Sequence, residues 1–92
     1  MNDRQVQLIA VKGNTAAVQI PGRHYPAIAL AADAFAELVK DAKRVAMDPG
    51  SNFERRDEAV YLSERLSRIL AAYETMMREQ GLKLPYDSPL HG

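Results

Sequence analysis

The fold is decided by one stretch near the start of the chain, Val18-Gln19-Ile20-Pro21-Gly22-Arg23-His24-Tyr25-Pro26-Ala27-Ile28-Ala29-Leu30. Two apolar runs with strand character flank a turn that is rich in proline, glycine and polar residues. The pattern predicts two extended strands with this turn between them. Three chemically different side chains stand together in the turn, so it is also where we expect function: Arg23, His24 and Tyr25.

A further strand is predicted upstream, because residues 5–11 are rich in β-branched and apolar residues in an extended pattern. Lys12-Gly13-Asn14-Thr15 supplies a turn that tolerates positive φ, and residues 16–20 resume the extended pattern. Together these segments indicate a β-hairpin. A third short strand is expected over residues 27–31, where Ile28 and Leu30 share one face.

Two helices are predicted in the second half of the chain. Asp33 is a suitable N-cap, and apolar residues follow it at helical spacing for about four turns. Ser51 and Glu54 form a capping-box pattern that starts a second helix over residues 53–80, with Gly81 as its C-cap. This helix spans about 42 Å, whereas a strand of about five to seven residues spans about 17 to 23 Å. Part of the long helix must therefore pack on the first helix, on the C-terminal tail, or on another copy of the chain.

These elements predict a single α+β domain over residues 1–92, with a two- or three-stranded antiparallel sheet packed by two antiparallel helices, the second long. Only the tail, from about residue 87 to 92, is expected to fray. The apolar stripe of the long helix exceeds what one helix and a small sheet can cover. We therefore predict a homodimer or higher homo-oligomer through six residues of that stripe: Leu66, Ile69, Leu70, Tyr73, Met76 and Met77.

Composition bounds the classes of function. Apolar residues make up 47% of the chain and charged residues 26%, the balance of a soluble globular protein. Twelve basic and twelve acidic residues cancel, which disfavours nucleic acid or an anionic membrane as the partner. No run approaches the roughly 18 apolar residues of a membrane span, and no signal-peptide pattern is visible. Since the chain has no cysteine, it has no disulfide framework, and a cytoplasmic location is expected.

Patterns typical of catalysis and of metal binding are missing from the sequence. An acid/base site based on His24 needs a second proton-transfer group, and the other histidine, His91, is the penultimate residue. No phosphate-binding glycine loop, serine-nucleophile elbow or metal-ligand spacing occurs. The sequence therefore predicts neither an enzyme nor a cofactor or metal site. A small hydrolase or nuclease that uses His24 is kept as an alternative.

The arginines of the long helix leave a second alternative, a small nucleic-acid-binding regulator. Glutamates intersperse these arginines, and Glu64 and Arg68 stand at i,i+4. We therefore favour a solvated face whose charges pair with one another.

The same segments resemble a family of short uncharacterised bacterial proteins. In that family a strand ends in a Pro-Gly-Arg-x-x-Pro turn, an apolar strand and an Asp follow, and two helices close with Leu-Pro-Tyr. Here the turn is Pro21-Gly22-Arg23-His24-Tyr25-Pro26, the Asp is Asp33, and the ending is Leu84-Pro85-Tyr86. That family has no established activity to imply.

More distantly, the order of strands, Pro-Gly, strand and capped helix is similar to the HicB-type antitoxins, which bind and silence a toxin. This likeness covers about a third of the chain. Those proteins commonly carry a Gly where this chain has Ala32.

The expected function is non-catalytic protein binding. The resemblance to antitoxins implies its most concrete form, an antitoxin or immunity-type protein that occupies a partner's active surface. We assign the contact to Arg23, His24 and Tyr25, since arginine and tyrosine are frequent interface anchors.

Overall fold

The computed structural model describes residues 5–48 and 53–90, and the structural statements below refer to these residues. They form three strands followed by two helices, the second longer than the first. The predicted α+β class is thereby confirmed. The chain divides into two compact units, Met1–Ala34 and Phe35–Gly92, which are described separately. The single-domain prediction and the predicted packing of the helices on the sheet stay predictions.

The first unit is an antiparallel sheet of three strands in the order β1-β2-β3. Strand β1 is Gln7–Lys12, β2 is Thr15–Gln19 and β3 is Ala27–Leu30. The predicted hairpin joins β1 to β2, with Lys12 opposite Thr15. Gly13 has a φ of 58°, the positive value that a type II′ hairpin turn requires at its first central position. Each strand lies within about two residues of its predicted bounds, as is usual for element ends.

The first helix, α1, is Ala32–Ala46. It begins one residue before Asp33, so Asp33 lies in the first turn and the prediction that it is the N-cap is wrong. A carboxylate in the first turn is still favourable, because it faces the positive end of the helix dipole. Lys43 and Arg44 occupy the last turn, where cations complement the negative end.

The second helix, α2, is Phe53–Glu79, and its 27 residues span about 40 Å. It ends in a Schellman motif: the N–H of Leu82 donates to the carbonyl of Met77, and the N–H of Gly81 donates to that of Arg78. Gly81 has a φ of 69°, which confirms the predicted C-cap. Ser51, half of the predicted capping box, lies outside the described residues.

The core of the second unit joins the two helices. Ala36 and Val39 of α1 are buried against Leu70 of α2. Val39 is the middle residue of α1, Ala36 lies before it, and Leu70 lies in the second half of α2. Five partly buried side chains pack around them: Phe35, Leu66, Tyr73, Tyr86 and Leu90.

The C-terminal segment folds back onto this core. Tyr86 and Leu90 pack against it, and the Nζ of Lys43 donates a hydrogen bond of 2.8 Å to the carbonyl of Pro89. Apolar contacts and a tertiary hydrogen bond therefore join the segment to the core as far as Leu90, and the fraying expected from residue 87 stays a prediction. Residues 91 and 92 lie outside the described part.

Candidate protein-binding site

The turn between β2 and β3 is built by Pro21 and Gly22. The N–H of Arg23 donates to the carbonyl of Ile20 over 3.1 Å and closes a four-residue turn. Proline at the second position and glycine with a φ of 82° at the third are the signature of a type II turn. The sequence therefore dictates the local backbone here without tertiary help.

A side chain of β2 reinforces the turn. The Nε2 of Gln19 donates hydrogen bonds to the carbonyl of Arg23 over 2.8 Å and to that of Ile20 over 3.2 Å. These bonds tie the start of the turn to its far side. The backbone is thus tied from Ile20 to Arg23, and His24 and Tyr25 follow directly after this tied segment.

The side chains of the turn are presented to solvent. The rings of His24 and Tyr25 meet edge to face, with centroids 4.6 Å apart and planes at 83°. Tyr25 nevertheless keeps 77% of its surface exposed. A tyrosine that filled a packing site in the sheet would lose most of that surface. The structure therefore brings the three predicted residues together on the surface, with two of them in direct ring contact.

The three strands and the turns between them, over residues 5–31, carry charge of one sign. No aspartate or glutamate occurs in these residues, whereas Lys12 and Arg23 are cationic. Arg23 makes no ion pair with another described residue. Around these cations the sheet exposes large apolar side chains, including Ile28, which is 76% exposed. The strands and their turns therefore present a surface that is both apolar and cationic.

The six residues predicted as an oligomer interface divide into three groups. Ile69 and Met76 are exposed, and Leu66, Tyr73 and Met77 are partly buried. Leu70 is only 1% exposed because it packs against α1 in the same chain, which leaves little of its surface for contact with another copy. The interface between copies stays a prediction.

Sequence reasoning did not place Leu62 in that interface, although it is exposed on α2 like Ile69 and Met76. These three residues are spaced by seven, which puts them on one side of a helix. The spacing could have shown that the three residues share one side of α2, but not whether that side is covered.

A polar contact inside the second unit was also missed. Glu74 is only 6% exposed, and the hydroxyl of Tyr86 donates a hydrogen bond of 3.0 Å to its carboxylate. Burial and this hydrogen bond raise the pKa of Tyr86 above its usual range. The rings of Tyr86 and Tyr73 are stacked, with centroids 6.4 Å apart. These contacts secure the returning C-terminal segment.

Metal ligands, His24 and one cleft are the features that bear on catalysis. The described residues contain no group of three or more histidine, cysteine, aspartate or glutamate residues that could hold a metal ion. Within the same residues, His24 has a ring contact with Tyr25 but no hydrogen bond to a carboxylate. An open cleft of about 690 Å³ lies between α1 and the C-terminal segment, and its lining includes Glu37, Lys40 and Asp87. The expectation that the protein is not an enzyme stays a prediction.

In the part of the chain that the structure describes, no helix is both long enough and apolar enough to cross a membrane.

Comparison with known proteins gives one match. The model of DUF6959, a family of unknown function, covers residues 1–86. The chain belongs to DUF6959. No curated protein and no solved structure matches the chain. Membership in DUF6959 agrees with the expectation of an uncharacterised family, and the sheet, the turn and both helices all lie within the matched region.

Proposed function

We propose that this DUF6959 protein is a non-catalytic protein-binding module whose contact site is the turn that carries Arg23, His24 and Tyr25. One observation carries the proposal: Tyr25 remains 77% exposed two residues after a turn that three hydrogen bonds tie at Ile20 and Arg23. An aromatic side chain that contacts a neighbouring ring and yet stays exposed to solvent supports a role in contact with another molecule.

The rigidity of the turn bears on affinity. Ordering a flexible loop on binding costs free energy, and a loop that is already ordered avoids that cost. The edge-to-face contact with His24 further restricts the Tyr25 ring. Arginine and tyrosine are among the residues that most often dominate binding energy. The turn thus combines suitable anchors with a preorganised backbone.

The charge of residues 5–31 indicates the kind of partner. Arg23 has no ion pair with a described residue, and residues 5–31 contain no carboxylate. The surface formed by the strands and their turns therefore complements a protein surface that has apolar residues and a carboxylate near its rim. The active surface of a toxin or other effector is one such partner. An antitoxin or immunity-type role in the cytoplasm, as the resemblance to HicB-type antitoxins implies, is the most concrete form of the proposal.

The test compares two double variants. Arg23→Ala/Tyr25→Ala removes the proposed anchors, whereas Arg65→Ala/Tyr61→Ala removes the same residue types from an exposed position on α2. Each form is immobilised and exposed to lysate of the native host, and captured proteins are quantified by mass spectrometry. Each candidate is then purified and its dissociation constant measured with all three forms.

We expect a captured protein that binds the wild type and the α2 variant alike. The double turn variant should bind this protein more weakly, by about 1 to 3 kcal/mol for each anchor lost, as for interface hot spots. The proposal is abandoned if the turn variant binds every purified candidate as tightly as the wild type does, or if no captured protein survives purification as a binder.

A further inference from the structure

The two edges of the sheet differ in how well they are protected against pairing with another strand. At the β1 edge the register shifts between Leu8 and Ala10, and the strand ends in the charged Lys12. A bulge and a lysine are two of the devices that block edge-to-edge pairing. At the other edge, β3 is Ala27-Ile28-Ala29-Leu30, with no charge and no irregularity in its pairing with β2. The open edge is therefore β3.

Alternate residues of β3 bond to β2. The N–H of Ala31 donates to the carbonyl of Asn14 over 2.9 Å, in line with the register of the two strands. Hydrogen-bonded pairs alternate with non-bonded pairs along an antiparallel ladder. Counting back from Ala31, the residues whose backbone groups face β2 are therefore Ala29 and Ala27.

It follows that the backbone N–H and C=O groups of Ile28 and Leu30 face away from β2, toward the open edge. The side chains of these two residues lie on the same face of the sheet, since they are two positions apart. Both are exposed, Ile28 by 76%. The edge thus combines two sets of outward backbone groups with two exposed apolar side chains.

We infer that β3 pairs in antiparallel fashion with β3 of a second copy of this chain, about a two-fold axis at Ala29. In this register Ile28 lies opposite Leu30 of the second copy, and Leu30 lies opposite its Ile28. Each pair exchanges both N–H···O hydrogen bonds, because all four residues have outward backbone groups. On one face, each exposed isoleucine meets an exposed leucine, and cross-strand apolar pairs stabilise a sheet. The result is a continuous sheet of six strands.

Charge favours a second copy in this orientation. The turn that precedes β3 carries Arg23, and the first turn of the helix that follows it carries Asp33. Neither side chain makes an ion pair with another described residue. Antiparallel pairing brings the cationic end of each β3 beside the anionic end of the other, whereas parallel pairing would place like charges together. The strand is thus complementary to itself in hydrogen bonding, in apolar contact and in charge.

This interface goes beyond the proposed function, because it requires no foreign partner and centres on the strand rather than on the turn. Its test uses only the purified chain, so it can fail or succeed independently of the capture experiment.

Sedimentation equilibrium provides the first measurement. Ile28→Lys places a charge at the proposed interface, and Val11→Lys is the matched change of an exposed β-branched residue at the other edge. We expect the wild type to be dimeric at tens of micromolar. Ile28→Lys should raise the dimer dissociation constant by about tenfold or more, and Val11→Lys by less than about twofold. A monomeric wild type, or equal effects of the two lysines, overturns the inference.

The second measurement is residue-resolved amide hydrogen exchange on the wild type. It tests the inference even if a variant fails to fold. The N–H groups of Ile28 and Leu30 should exchange rapidly in dilute solution and slowly at high concentration, whereas those of Ala27 and Ala29 should be protected throughout. If the Ile28 and Leu30 amides show no dependence on concentration, β3 does not pair. If instead Ile69→Lys abolishes the dimer and Ile28→Lys leaves it intact, the second copy docks on α2 and the inference is wrong.

Discussion

The hydroxyl of Tyr86 donates a hydrogen bond to the carboxylate of Glu74 over 3.0 Å and so joins the C-terminal segment to α2. Glu74 is 6% exposed, whereas Tyr86 is partly buried, so the acceptor is the more sheltered of the two groups. A carboxylate buried to this degree depends on protein donors for the hydrogen bonds that water would otherwise supply. The contact therefore holds a returning segment and satisfies a buried charge at the same time.

Tyr86→Phe keeps the ring and removes this donor. We expect the free energy of unfolding to fall by about 1 to 3 kcal/mol, the cost of removing a hydrogen-bond donor from a buried acceptor. Tyr61→Phe, at an exposed position on α2, is the matched control and should change stability by less than about 0.5 kcal/mol. Urea denaturation followed by circular dichroism measures both. Equal effects of the two substitutions would show that the bond contributes nothing specific.

The same contact predicts a loss of stability in alkaline solution. Burial and the hydrogen bond to Glu74 raise the pKa of Tyr86 in the folded state. In the unfolded chain the pKa of its phenol is about 10. Above that pH the unfolded state loses a proton that the folded state retains, so the free energy of unfolding falls as the pH rises. Between about pH 9 and 11 it should fall more steeply for the wild type than for Tyr86→Phe. Parallel curves in urea titrations across this range would contradict the assignment.

The features that the sequence predicted best depend on local rules. The Gly13 hairpin turn and the Gly81 cap each need a positive φ, which glycine adopts at low cost, and both stand where the sequence places them. The turn at Pro21 and Gly22 follows for the same reason. These residues specify their own backbone, so no knowledge of distant partners was required.

The parts that the sequence did not reveal depend on distant residues. Tyr86 and Pro89 lie in a proline-containing segment without helical or strand pattern, and only their contacts with Glu74 and Lys43 reveal that it is folded. The face of α2 that is covered was also beyond a pattern of spacing. The helix is apolar on more than one side, and which side packs is decided by α1.

The covered face of α2 gives a direct prediction of stability. Leu70 is 1% exposed and its neighbour Ile69 is 59% exposed. Leu70→Ala should lower the free energy of unfolding by about 2 to 5 kcal/mol, the range for truncation of a buried leucine. Ile69→Ala should cost less than about 1 kcal/mol, since little buried contact is lost. Chemical denaturation in dilute solution measures the pair, and a reversed order would mean that the helix packs through the other side.

The last prediction separates a binding role of the turn from a structural one. Tyr25 is 77% exposed, and its side chain makes an edge contact with His24, whereas Tyr73 packs against the core of the second unit and stacks on Tyr86. Tyr25→Ala should therefore change the free energy of unfolding by less than about 0.5 kcal/mol. Tyr73→Ala should lower it by about 3 kcal/mol or more, the lower end for loss of a packed aromatic ring.

Thermal and urea melts of both variants provide the comparison. If Tyr25→Ala destabilises the chain as much as Tyr73→Ala does, the ring supports the fold, and weaker partner binding by that variant would reflect unfolding rather than a lost contact. If its stability is unchanged, any loss of partner affinity comes from the contact itself. The free energy of unfolding of Tyr25→Ala thus decides how the capture experiment is to be interpreted.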